Sequence, residues 1–99
     1  MTQQNPTMHA RVAADALERL VRDVRTGRAA WTHPHTVGQA VDELTRVTTA
    51  AATALQQLAA AAGQQPGPRT AQAAAALHRA GQDLTTAADQ LRRARHTMQ

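Results

Sequence analysis

The sequence predicts an all-α protein, a three-helix up-down-up bundle in which a long antiparallel hairpin of helices two and three is joined to a shorter N-terminal helix. Three observations carry this. Alanine makes up about one-quarter of the 99 residues, and with leucine, arginine and glutamine, all strong helix formers, it dominates the chain. Apolar residues recur at alternating spacings of four and three. The segments that show this spacing are separated by stretches bearing proline and glycine.

The first helix is expected over about residues 6–26. Asn5-Pro6 reads as an N-cap followed by proline at the first helical position, where the missing N–H has no intrahelical partner to lose. Gly27 offers a left-handed stop. Between them Ala10, Ala13, Leu17, Leu20 and Val24 form the apolar stripe, flanked by Val12 and Val21.

The second helix is expected over about residues 35–62, opened by His33-Pro34 or by Thr36, which with Gln39 fits a capping box. Its stripe is Val37, Val41, Leu44, Thr48, Ala51, Leu55, Leu58 and Ala62, and Gly63 closes it. The run Gln64-Gln65-Pro66-Gly67-Pro68 is a turn. The third helix follows over about residues 68–96, with Ala73, Leu77, Ala80, Leu84, Ala87, Leu91, Ala94 and Met98 as its stripe. Stripes sustained over three to four heptads predict coiled-coil-like packing, and their small residues predict close approach. Gly81, inside the third helix, fits either close approach or simple tolerance. Gly38 is expected in a frayed first turn.

The whole chain, residues 1–99, is expected to form one domain. Its core is long and thin, because eight of the 21 stripe positions are alanine, and such a core leaves a monomer marginal. A homodimer burying the uncovered half of the hairpin is therefore expected.

Most charges fall into i,i+4 pairs: Asp15 with Arg19, Glu18 with Arg22, Asp42 with Arg46, Arg79 with Asp83 and Asp89 with Arg93. The surplus gathers at one end. Arg25 and Arg28 close the first helix; Arg92, Arg93, Arg95 and His96 close the third; the first interhelical loop adds Trp31, His33 and His35. In an up-down-up bundle these share a pole, partly neutralised by Asp42 and Glu43. The candidate site is thus an anion- or partner-binding pole of Arg25, Arg28, Trp31, His33, His35, Arg92, Arg93 and Arg95. Cations at helix C-termini also offset the macrodipole, which accounts for the arrangement without any ligand. Trp31, the single aromatic residue, is expected to fold back as a lid over the open end, the alternative being an exposed anchor for a partner.

The residue set argues against turnover. Serine, cysteine and lysine do not occur, so no serine or cysteine nucleophile exists. Carboxylates are few and stand beside arginines, and no glycine-rich phosphate loop is present. His33, His35, Asp42, Glu43 and His96 lack a recognisable metal-ligand spacing, so neither a metal nor any other cofactor is expected. A net charge of +4 tilts partners toward acidic ones. No helix-turn-helix spacing appears, and one tryptophan makes no stacking platform. No stretch is apolar enough for a membrane span, and the first eleven residues lack the apolar run of a signal peptide, so a cytoplasmic location is expected. Heavy use of alanine, and of arginine without lysine, suggests a GC-rich, actinobacterium-like genome.

The expected function is a noncatalytic helical interaction or adaptor module that pairs with itself, and with another protein as a further partner. The alternative is an accessory nucleic-acid-binding protein using the arginine-rich pole. The length near 100 residues, the helical hairpin and a lone Trp31 in an interhelical loop resemble, in shape, the WXG100 family of small secreted helical dimers. That resemblance implies export as a further alternative. At the motif the chain departs from the family: Trp31-Thr32-His33 has no glycine at its third place, and there is no tyrosine for the C-terminal signal.

Overall fold

The computed structural model describes residues 5–99. It contains three α-helices, α1 (Pro6–Arg25), α2 (Pro34–Gly63) and α3 (Pro68–Thr97), and no strand among the described residues. The chain divides into two compact units, Met1–Pro34 and His35–Gln99, each taken by itself below.

In the first unit the expected local signals fix the helix. The Asn5 side chain accepts a hydrogen bond from the Thr7 N–H at 3.0 Å, with Pro6 at the first helical position. The end of α1 is closed twice on the Arg22 carbonyl, by the Thr26 N–H and by the Thr26 hydroxyl, both at 2.9 Å. Gly27 then turns left-handed at φ +80°, a conformation that costs an L-residue with a Cβ about 1–2 kcal/mol. No residue of α1 is buried; Leu17, Leu20 and Val24 are half-buried. Ala10 and Ala13, expected in the stripe, are exposed, as are Met8, Val12 and Val21.

The second unit is an antiparallel hairpin. Its first helix, α2, starts at Pro34, the last residue of the first unit, so His33-Pro34 opens it and Thr36 lies inside the first turn rather than capping it. The connection 64–67 is closed by the Gln64 and Gln65 N–H groups, which donate to the Ala61 and Ala62 carbonyls. Gly67 (φ +117°) makes the bend, and the Thr70 hydroxyl fastens it to the Gly67 and Gln65 carbonyls at 2.7 and 2.9 Å.

The hairpin helices meet along their smallest residues. Gly38, Ala52, Gly81 and Ala88 are buried, and no larger residue is. A methyl group at Gly81 would stand 3.3 Å from the Ala52 carbonyl oxygen and 3.6 Å from the Leu55 Cβ. Gly81 is thus a site of close helix approach. Leu44, Leu55, Leu77, Leu84 and Leu91 flank this line, half-buried. Most of the stripe read from the sequence is half-buried as expected, including Val37, Val41, Thr48, Ala51, Ala62, Ala80 and Ala87, and it departs from the contact line only toward the hairpin's ends, at Leu58, Ala73, Ala94 and Met98. Ala59 turns inward where Leu58 was expected, and Ala74 where Ala73 was, while Met98 stays exposed. Packing the leucines directly between the axes would hold the helices apart. With glycine and alanine on the line, the backbones close up and the leucines cover the seam from its sides.

Candidate functional site

The eight candidate residues fall in both units. Arg25, Arg28, Trp31 and His33 belong to the first; His35, Arg92, Arg93 and Arg95 belong to the second.

In the first unit Arg25 sits in the last turn of α1 with Arg22, where their charge complements the partial negative charge of the helix end. Past Gly27 the Ala29 N–H donates to the Asp23 carbonyl at 3.0 Å, so Arg28 rides on a closed turn. Arg25, Arg28 and His33 are exposed. Trp31 keeps 45 % of its surface exposed, whereas a lid would be covered.

In the second unit the arginines at the end of α3 do different work from that expected. Arg95 is not a free cation. Its side chain is 27 % exposed, its Nε donates to Asp42 Oδ1 at 3.0 Å, and its guanidinium lies on the backbone of Gly38. A Cβ at Gly38 would stand 2.8 Å from Arg95 Nη1 and 2.9 Å from Cζ. Gly38 is therefore not in a frayed turn but is the floor under a side chain from the opposite helix. Arg92 also crosses the hairpin: Nη2 donates to the Thr49 hydroxyl oxygen at 3.1 Å, while Nη1 bonds Asp89 Oδ1 at 2.9 Å. Arg93 is exposed and enters no ion pair among the described residues, and His35 is exposed in the first turn of α2.

These contacts revise the charge pairing. Asp42 pairs with Arg95 across the hairpin instead of with Arg46, and Asp89 pairs with Arg92 instead of with Arg93. Arg46 turns back to Glu43 at 2.7 Å. Among the described residues these three are the ion pairs that form, so Asp15–Arg19, Glu18–Arg22 and Arg79–Asp83 stay apart. On a helix, i,i+3 and i,i+4 partners are near neighbours, and a third group close by decides between them. Gly38 decides the case of Asp42, because it leaves room for Arg95 to reach the carboxylate.

Sequence reasoning placed Asp42 at this end but paired it with Arg46 rather than Arg95, and missed Gly38 and Thr49 as partners. One signal was present: Arg95 continues the inward series Ala74, Leu77, Gly81, Leu84, Ala88, Leu91, so a charged residue occupies a contact position and needs a partner there.

Beside Arg92 lies an open groove lined by Thr45, Arg46, Val47, Thr49 and Thr53. Its arginines are already matched by Glu43 and Asp89, so it carries no net cationic field. Among the described residues no three of His, Asp and Glu gather as a metal site would need, and no helix is long and apolar enough to cross a membrane. No protein-family model matches this chain significantly, and neither does any curated protein or solved structure.

Proposed function

We propose that this chain is a noncatalytic helical interaction module that pairs with its own copy and offers helix faces to another protein. One observation supports this above all. The hairpin keeps Val47, Leu58 and Met98 exposed at 39, 53 and 42 %, while everything it fully buries is glycine or alanine. Covering one large aliphatic side chain is worth about 1.5–3 kcal/mol. The hairpin leaves that stabilisation unused within the chain, where an interface would realise it. Sedimentation equilibrium over rising protein concentration tests the reading. The mass should climb from 10.6 kDa toward twice that value; a mass of one chain at every concentration rejects it.

A second reading, phosphate binding, is favoured by one observation: Arg25, Arg28 and Arg93 are exposed and enter no ion pair among the described residues. With Arg92 and Arg95 committed within the chain, it rests on Arg25 and Arg28 in the first unit and on Arg93 alone in the second. An electrophoretic shift on random duplex DNA that weakens steeply with salt would favour it; no shift at low salt ends it.

A further inference from the structure

Val47, Ala50, Ala54, Leu58 and Ala61 share one outer face of α2, and all five are exposed. From Val47 to Gln64 the chain carries no charge at all. We infer that this face pairs antiparallel with the same face of a second copy, about a two-fold axis at Ala54. The inference rests on the self-association proposed above and names its surface and geometry.

The spacing along the face is three, four, four, three, which is symmetric about Ala54. An isologous two-fold contact sets residue i of one copy against j of the other and the reverse. Here Val47 meets Ala61, Ala50 meets Leu58, and Ala54 meets itself. Each large side chain faces a small one, so the surfaces interdigitate without voids. The parallel arrangement sets Leu58 against Leu58 and Val47 against Val47, with alanine gaps between. It also stacks Arg46 on Arg46, whereas the antiparallel one places Arg46 opposite Ala62. A partner of other chemistry would have no reason to match this mirror order of large and small.

Area sets the strength. The face is about 21 Å long and one helix wide, about 10 Å. That falls short of the roughly 800 Å² per partner of a standard stable interface. The dimer is accordingly a weak, concentration-dependent one.

The chain has no cysteine, so single cysteines report the geometry cleanly. Ala54→Cys should oxidise to a disulfide-linked dimer, because two residues on the axis come within the roughly 4.4–6.8 Å Cα separation a disulfide spans. Ala60→Cys, exposed but about 120° round α2 from Ala54, should not. Leu58→Glu should raise the dimer dissociation constant at least about tenfold while leaving helix content unchanged, since Leu58 is exposed in the single chain. Equal cross-linking at positions 54 and 60, or a dimer indifferent to Leu58→Glu, overturns this interface while leaving self-association standing. A wild-type chain that stays monomeric at every concentration overturns both.

Discussion

The guanidinium of Arg95 rests on Gly38, so the one residue type without a side chain receives the longest cation of the opposite helix. Space and helix propensity pull in opposite directions here. Alanine at position 38 would favour the helix by about 0.8–1.0 kcal/mol but would displace the guanidinium and its bond to Asp42. The displaced group is the mobile end of a side chain and its ion pair is part-exposed, so we expect Gly38→Ala to be close to neutral in the wild-type chain, and stabilising by about 0.5–1 kcal/mol in an Arg95→Ala background. Urea unfolding followed by circular dichroism measures both. The same stabilisation in both backgrounds would show that Arg95 does not occupy the space above Gly38.

Gly81 faces backbone rather than a flexible side-chain end. The Ala52 carbonyl oxygen can retreat only if the two helices separate. Gly81→Leu should therefore destabilise the hairpin by about 1–3 kcal/mol, although leucine is the better helix former. Leucine at the exposed neighbour Gln82 provides the comparison and should change stability by less than about 0.5 kcal/mol. Equal effects at the two positions would contradict close approach at Gly81.

At the start of α1, replacing Asn5 by alanine removes the acceptor for the Thr7 N–H and should cost about 1 kcal/mol of helix stability. At its end, Gly27→Ala forces a Cβ into φ +80° and should cost a similar amount, about 1–2 kcal/mol. Amide exchange within residues 6–25 reads both; unchanged protection would argue against the caps as they stand.

Trp31 is the sole aromatic residue and is exposed, so its emission should be red-shifted and open to iodide quenching. Blue-shifted, protected emission in dilute solution would mean that the indole is covered.

Helix limits were legible in the sequence because they are written in single residues. Asn5-Pro6, Gly27 and Gly67-Pro68 act through their own backbone geometry, and no distant partner has to be known. The rotation of each hairpin helix about its axis was harder to read. Leucine marks the apolar side but not the line of closest contact, which passes through Gly38, Ala52, Gly81 and Ala88. The tethers of Arg92 and Arg95 were hidden for a related reason. Each partner lies more than forty residues away, at Thr49 and Asp42, and Asp42 had a plausible local partner in Arg46.

The threonines of α2 add one more property. Thr45 and Thr53 turn their hydroxyl protons back to the Val41 and Thr49 carbonyls, and the Thr49 oxygen accepts from Arg92. With the protons of Thr45 and Thr53 spent inside the helix, those two hydroxyls can only accept from a visiting molecule. The Thr49 hydroxyl keeps its proton, so the column offers one donor between two acceptors.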